Sequence, residues 1–173
     1  MDVFEAVRTV LAVRQYDSRP VPRDTIDRVV EAGRLTASSM NRQPWHFVVV
    51  TEREGLERLS EAVPTGRYVR EAAFAIAVAT ERDSAYALSD ASRAIQSMIL
   101  TAWDAGVGSN WTGFLGLEDA RTSLGIPDEY DVIAMLPFGY PAEQRRGGKK
   151  ARKPIGEVAS SERFGDPWTS STR

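Results

Sequence analysis

The sequence predicts one three-layer domain of the α/β or α+β class, in which helices cover both faces of a sheet. Two segments, "HFVVV" at 46–50 and "AFAIAVAT" at 73–80, are almost entirely apolar, as strands buried on both faces are. The amphipathic segment "EREGLERLSEAV" lies between them, and "YDVIAMLPFGYP" follows as a later strand. Strands that alternate with helices in this way form layered domains.

The helices and turns follow from the same patterning. We expect "MDVFEAVRTVLAVRQY" to form the first helix, and Asp24 to cap a second helix that buries Ile26, Val29 and Val30. The longest helix is expected over 84–105, where "SMILTAW" is apolar on nearly every side and must be covered all round, in part by a second subunit. "SNWTGF" follows as strand or turn, and "LEDARTSLG" as a short helix.

Composition excludes several classes of function. The 173 residues suit a single domain, and 22 basic against 24 acidic side chains give a net charge of −2, so no broad basic field attracts nucleic acid. The chain has no cysteine, which excludes disulfides and thiol catalysis and fits a cytoplasmic protein. A single histidine, His46, is interpreted as a strand residue, and no metal site is expected. Charges interrupt every apolar run near the start, so neither a signal sequence nor a membrane span is expected.

The segment "TASSMNRQPWHFVVV", residues 36–50, places polar side chains directly before a core strand. An unpaired polar group beside a core costs about 1–3 kcal/mol, so these groups need partners. Either the turn satisfies its own hydrogen bonds, or a polar ligand lies against it. No glycine-rich dinucleotide fingerprint, phosphate loop or nucleophile elbow is present to name that ligand.

Four segments resemble the nitroreductase family of FMN-dependent oxidoreductases: "VRQYDSRPV", "TASSMNRQPWHFVVV", "AGVGSNWTGF" and "FGYPAEQRRGGKKARKP". The resemblance covers nearly the whole chain, and the second segment is the most specific. It implies an α+β three-layer sandwich around a central mixed, mainly antiparallel sheet, and an intertwined homodimer with a flavin at each interface. It implies one flavin-binding domain over 1–158 and a tail over 159–173 that is partly disordered or docked on the partner subunit.

The resemblance also implies which residues hold the flavin. Ser38, Ser39 and Asn41 would face the cofactor of the partner subunit. Arg14 would meet the N1/O2 edge of the ring, where a preplaced cation stabilises developing negative charge. Thr112 and Gly113 would bring backbone groups close to N5 and O4 of the ring. Lys150 and Arg152 would be the cations near the flavin phosphate.

One stretch departs from the family pattern. Members usually carry Arg-Arg-Ser or Arg-His-Ser where this chain has Val10, Leu11 and Ala12, so three polar contacts to the cofactor become apolar. We expect weaker FMN binding or a different flavin, unless the basic run at 145–153 compensates.

The resemblance implies an NAD(P)H-dependent FMN oxidoreductase that reduces small electron-poor acceptors, such as nitroaromatics or quinones, by ping-pong hydride transfer. The cofactor carries the chemistry, so no catalytic side chain is expected. A non-catalytic flavin-binding or flavin-sequestering homologue is the alternative. Reductive dehalogenation or flavin fragmentation, and nucleic-acid binding through the basic run, rank below it.

Overall fold

Four antiparallel strands form the central sheet of the chain, which a computed structural model describes over residues 1–113, 116–143 and 150–169. The strands are β1 (Trp45–Val50), β2 (Phe74–Glu81), β3 (Gly108–Ser109) and β4 (Tyr130–Gly139). Their order in the sheet is β1-β2-β4-β3, so β1 and β3 form the two edges. Among the described residues, the single parallel pairing is an isolated bridge between Ala12 and Ser109.

Helices cover both faces of this sheet. They are α1 (Val3–Thr9), α2 (Arg23–Arg34), α3 (Arg53–Ala62), α4 (Ala87–Asp104) and α5 (Glu118–Ser123), with short 3₁₀ turns at Ser39–Asn41, Arg67–Glu71 and Ile155–Glu157. Alternate residues of β2 point to opposite faces. Phe74, Ile76 and Val78 pack with α2 and α4, whereas the intervening alanines pack with α3 and α5. The predicted three-layer α+β architecture is therefore confirmed.

The prediction that "HFVVV" is buried on both faces is wrong, although it holds for β2. Every residue of β2 from Phe74 to Thr80 is buried, because β1 and β4 flank it and helices cover both of its faces. β1 pairs only with β2, and His46 and Val49 are exposed along it. A run of β-branched residues is equally compatible with an edge strand and a central one.

Two predictions about helix termini are also wrong. The first helix ends at Thr9 and the chain continues in extended form, because the Val13 amide donates to the Ser109 carbonyl at 2.8 Å instead of to a helical partner. Pro22, rather than Asp24, is the N-terminal cap of α2, and Asp24 lies in its first turn. The long helix predicted over 84–105 is present as α4, three residues shorter at its start.

The chain after Pro141 is described in part. Residues 144–149, which include Arg145, Arg146 and Lys149 of the basic run, lie outside the described ranges. Further on, Ser160 and Pro167 form an isolated bridge, and Phe164 is fully exposed. The division into a 1–158 domain and a 159–173 tail stays a prediction. Within the described ranges, no helix combines the length and apolar character needed to cross a membrane.

Candidate functional site

Arg14 lies on an extended segment that runs from α1 along the β3 edge of the sheet. The Val13 amide bonds the Ser109 carbonyl, and the hydroxyl of buried Tyr16 lies 3.1 Å from the Pro137 carbonyl. Burial raises the pKa of Tyr16, so its phenol stays neutral, and the closer acceptor for its proton is the Val13 carbonyl at 2.7 Å. The Asp17 amide donates to the Tyr140 carbonyl at 2.9 Å. The backbone is thus anchored on both sides of Arg14, whose own side chain is exposed.

Two glycines allow this segment to approach the sheet closely. A Cβ atom at Gly108 would lie 2.5 Å from Cγ2 of Val13, and one at Gly139 would lie 2.9 Å from the ring of Tyr16. Neither contact is compatible with normal packing, so the position of Arg14 depends on both glycines. The sequence offers no local signal of this, because the contacts join residues about 95 and 120 positions apart.

Two clefts meet at Arg14, and both are lined in part by Arg14 and Gln15. One has a volume of about 390 Å³ and is completed by Ala12, Val13, Pro141 and Glu143. The other has a volume of about 520 Å³ and is completed by Arg67, Tyr68, Arg70 and Glu71. Three guanidinium groups against one carboxylate make the second cleft a favourable place for an anionic or electron-rich ligand. Sequence reasoning missed Arg67, Tyr68 and Arg70, because "GRYVRE" matches no binding motif.

A hydrogen-bond network connects this second cleft to the predicted Thr112–Gly113 turn. The Asn110 side-chain amide donates to the Tyr68 hydroxyl at 2.5 Å and to the Trp111 carbonyl at 3.0 Å. Three residues before Tyr68, the hydroxyl oxygen of Thr65 lies 3.1 Å from the hydroxyl oxygen of Thr112. Tyr68, which lines the same cleft as Arg14, is therefore joined through Asn110 to the residue that precedes the Thr112–Gly113 turn.

Within the turn itself, the two predicted residues differ. Thr112 is buried, and its amide and carbonyl both exchange 2.9 Å bonds with Met135, so its backbone is already satisfied. Gly113 has φ +68, and a Cβ there would lie 2.5 Å from Leu117. Its amide makes no hydrogen bond to any other described residue. Of the pair, Gly113 is the residue that can offer its backbone to a ligand.

The turn at Ser38–Gln43 is strained. Met40, Asn41 and Gln43 have φ values of 53, 55 and 51, which residues with a Cβ rarely adopt. The Ser38 hydroxyl accepts from the Gln43 amide at 2.9 Å, and the Gln43 side chain donates to the Asn41 carbonyl at 3.2 Å. The turn thus meets part of its own hydrogen-bonding demand. Strain of this kind is typical of functional sites.

Asp90 lies near the start of α4 and holds the Ser38–Gln43 segment through hydrogen bonds to Ser39. Its carboxylate is 1% exposed and accepts from the Ser39 amide at 2.9 Å, from the Ser39 hydroxyl at 3.1 Å and from Arg93. Burial alone would raise the pKa of Asp90, but the Ser39 and Arg93 hydrogen bonds outweigh it and hold the pKa below its ordinary value. Sequence reasoning missed Asp90, which reads as a polar residue on an amphipathic helix.

The two halves of the predicted site lie at diagonally opposite corners of the sheet. The Arg14 segment pairs with β3 beside Phe138, whereas the Ser38–Gln43 turn leads into β1 at Trp45, which pairs with Thr80. The pairs Phe74 with Phe138 and Thr80 with Asp131 are six β2 residues apart, about 20 Å along the strand. One chain therefore does not bring Ser38, Ser39 and Asn41 to Arg14.

Lys150 lies at the C-terminal end of α1. Its ammonium group donates to the Val7 carbonyl at 2.8 Å, one of the carbonyls left free where the helix stops. Burial and the nearby charge of Arg152 lower the pKa of Lys150. This contact places Lys150 beside the apolar segment at 10–12, while exposed Arg152 bonds only the Ala151 carbonyl among described residues.

Metal ligands are not clustered in the described part of the chain. No group of three or more histidine or carboxylate side chains is placed to hold a metal ion there.

Comparison with known proteins identifies the family. A family model described as "Nitroreductase family" matches residues 8–66 and 63–140. The chain belongs to the nitroreductase family. The matched region contains Arg14, the Ser38–Gln43 turn and the Thr112–Gly113 turn, and it ends before Lys150.

Individual relatives agree with this membership. The nitroreductase-family chain is 38% identical over 151 residues to a protein of Methanothermobacter thermautotrophicus named "Putative NADH dehydrogenase/NAD(P)H nitroreductase", covering 83% of this chain and 79% of that protein. A solved structure of the same name from Parabacteroides distasonis has a TM-score of 0.84 at 30% identity, over 91% and 96% of the two chains. A "putative nitroreductase in complex with fmn" from Desulfovibrio desulfuricans has a TM-score of 0.79 at 27% identity, over 95% and 98%.

Proposed function

We propose that this protein is an FMN-dependent oxidoreductase that uses NADH or NADPH to reduce small electron-poor acceptors such as nitroaromatics or quinones. The observation that carries the proposal is the cationic cleft at Arg14, linked by hydrogen bonds to a turn in which the Gly113 amide has no partner among the described residues, in a member of the nitroreductase family. The names of its relatives and the FMN in one solved relative support the same chemistry. A cytoplasmic location belongs to the proposal, since NAD(P)H is a cytoplasmic reductant.

The residues present fit a flavin. A planar, uncharged ring with an electron-rich edge suits a cleft with a free guanidinium group and close backbone access. Arg14 supplies the first feature. Gly113 supplies the second, because its partly exposed backbone has an amide with no hydrogen-bond partner among the described residues. Bound FMN would supply the electron-transfer chemistry between nicotinamide and acceptor.

Arg14 and Gly113 then have distinct tasks. Arg14 holds a positive charge on a rigid backbone, so it stabilises negative charge that develops beside it without reorganising. The Gly113 amide, which has no partner among the described residues, would be able to donate a hydrogen bond to the flavin. No side-chain acid or base is needed, because NAD(P)H delivers hydride and solvent can supply the proton.

The phosphate of FMN is assigned to Lys150 and Arg152. Lys150 is already beside the segment where Val10, Leu11 and Ala12 replace the usual polar residues, so it is placed to compensate in part for their loss. Charge-assisted hydrogen bonds from an ammonium and a guanidinium group suit a phosphate dianion.

A homodimer would complete the site. Because Ser38, Ser39 and Asn41 lie at the far corner of the sheet from Arg14, a second copy must supply them if all of these residues contact one flavin. Exposed apolar side chains are available for burial in such an interface, namely Val3, Phe4, Val7, Ile155, Val158 and Phe164. Light scattering at low micromolar concentration should give twice the chain mass, and a stable monomer would contradict this step.

The test of the function begins with the visible spectrum of freshly purified protein, followed by mass measurement of the released chromophore. FMN is expected, together with steady-state NAD(P)H oxidation in the presence of a quinone and parallel double-reciprocal plots. Protein that takes up no flavin from solution would refute the proposal.

The alternative is a flavin-binding protein without turnover, which the apolar segment at 10–12 favours. Val10 and Leu11 are partly buried and offer the phosphate no donor side chain. Stoichiometric flavin binding without NAD(P)H oxidation by any quinone or nitroaromatic tested would support this alternative.

A further inference from the structure

Asp90 is a buried carboxylate that the proposed function does not yet use. Removing a carboxylate from water is costly unless hydrogen bonds compensate, and here both oxygens are satisfied. Two of its bonds come from one residue, Ser39, through the amide and the hydroxyl. The third partner, Arg93, lies one turn further along α4. The arrangement joins the first turns of α4 to the strained turn that leads into β1.

The first consequence concerns the direction of the Ser39 hydrogen bond. The bonds from Ser39 and Arg93 keep Asp90 ionised, and an ionised carboxylate only accepts hydrogen bonds. The single hydroxyl proton of Ser39 is therefore committed to Asp90. Toward any other group, the Ser39 hydroxyl can offer only its oxygen lone pairs.

The Ser38 hydroxyl has the opposite hydrogen-bonding role to that of Ser39. Its hydroxyl oxygen accepts from the Gln43 amide at 2.9 Å, which leaves its own proton free. Two adjacent serines of identical chemistry thus present a donor at Ser38 and an acceptor at Ser39. Without Asp90, the hydroxyl of Ser39 would be free to rotate and to donate as well.

We propose that Asp90 is a positioning residue that holds Ser39 as a hydrogen-bond acceptor, so that the turn selects a ligand group that donates a proton to Ser39. This inference rests on the proposed flavin function. In a flavin, that donor is either a ribityl hydroxyl or the imide N–H of the ring. A phosphate dianion has only acceptor oxygens, so Ser39 is excluded from phosphate binding while Asp90 is ionised.

The experiment compares Asp90→Asn with wild type in fluorescence titrations with three ligands. Lumiflavin has the imide but no ribityl chain, riboflavin has both, and FMN adds the phosphate. In Asp90 the amide and the hydroxyl of Ser39 donate to different oxygens, and a carboxamide of nearly equal size has a donor NH2 group in place of one of them. The ligand then loses a well-placed neutral hydrogen bond to Ser39, which corresponds to a reduction in affinity of about 3- to 10-fold.

The pattern across ligands identifies the donor. Equal losses for riboflavin and FMN, with lumiflavin unaffected, assign Ser39 to the ribityl chain, and equal losses for all three assign it to the imide. A loss confined to FMN, or no loss for any ligand, overturns the inference. If wild type binds none of the three ligands, the proposed flavin function fails first, whereas normal binding by both proteins removes only the role of Asp90.

Further variants separate positioning from a general loss of stability. In the Ser39→Ala background, Asp90→Asn should add less than about a factor of 3 to the loss, because both changes remove the same interaction. Ser38→Ala should instead add its full effect to that of Asp90→Asn. Asp104→Asn, on the last turn of α4, is the matched control, since Asp104 pairs with the N-terminal amine and should not alter flavin affinity. If Asp90→Asn does not fold, Asp90→Ser is titrated with the same three ligands in its place, and the same outcomes decide.

Discussion

Replacing Gly113 with alanine tests the backbone of the candidate site most directly. Position 113 has φ +68, where a residue with a Cβ pays about 1–2 kcal/mol. The new methyl group would also lie 2.5 Å from Cδ2 of Leu117 and 3.2 Å from Cγ1 of Val63, both buried. Overpacking of this kind costs about 1–3 kcal/mol. The free energy of unfolding should therefore fall by about 2–5 kcal/mol in Gly113→Ala.

Two other glycines divide this cost into its parts. Gly125 has φ +64 but no atom within 4 Å of a Cβ, so Gly125→Ala should lose only the conformational part, about 1–2 kcal/mol. Gly108 lacks a positive φ but would place a Cβ 2.5 Å from Val13, whose β-branched side chain cannot rotate away easily. Gly108→Ala should lose about 1–3 kcal/mol through packing alone.

Urea denaturation of the three variants and wild type measures these differences as shifts in midpoint at constant slope. The expected order of stability loss places Gly113→Ala above Gly125→Ala. If Gly113→Ala is no less stable than Gly125→Ala, the turn has room for a side chain, and the tight packing assigned to Gly113 against Leu117 and Val63 is wrong. Flavin affinity should fall with Gly113→Ala and stay unchanged with Gly125→Ala.

Two further predictions concern charged groups. Arg14→Ala should lower the flavin midpoint potential and slow reduction by NAD(P)H more than it weakens flavin binding. The reason is that the charge of Arg14 matters most when negative charge develops on the flavin. An unchanged potential in potentiometric titration would contradict the role assigned to Arg14. The depressed pKa of Asp90 contributes stability above the ordinary value of 3.8, which is lost as pH falls through the lower folded-state pKa. Acid titration of wild type should therefore unfold it more steeply below pH 3.8 than Asp90→Asn, and parallel curves would show that folding does not lower the pKa of Asp90.

The elements that sequence reasoning located correctly are those whose signal is local. β2 is apolar at every position from Phe74 to Val78, and α3 and α4 have regular helical spacing, so burial can be inferred from the segment alone. The extended course of the chain after Thr9 could not be inferred this way. It depends on the distant Ser109 carbonyl and on the absence of a side chain at Gly108.

The candidate site shows the same limit. Ser38, Ser39 and Asn41 were found through a motif of ordered residues, but their separation from Arg14 depends on strand order, which no local pattern encodes. Asp90 was missed because a single acidic residue on an otherwise amphipathic helix is ordinarily exposed. Only its contact with Ser39, 51 positions away, shows that it belongs to the turn.

The apolar segment at 10–12 leads to the last prediction. If Lys150 and Arg152 hold the phosphate, FMN affinity should fall steeply as salt rises, because partly exposed cations are screened. Riboflavin, which lacks the phosphate, should respond much less to salt. The double substitution Lys150→Ala with Arg152→Ala should nearly abolish FMN binding and leave riboflavin binding largely intact.

Val10→Arg tests the same geometry in the opposite direction. Position 10 follows α1, and the Val7 carbonyl there already receives the ammonium group of Lys150, so a guanidinium group at position 10 would stand beside Lys150. Two adjacent cations repel each other, and the phosphate of FMN would relieve this repulsion by binding between them. FMN should therefore bind to Val10→Arg at least about 10-fold more tightly than to wild type, and riboflavin affinity should be unchanged. Ser123→Arg, at an exposed position of α5 outside the proposed site and interface, is the control for added charge alone. If FMN and riboflavin respond alike in titrations at low and high salt, this end of α1 does not hold the phosphate, and the basic run is a solvated arm.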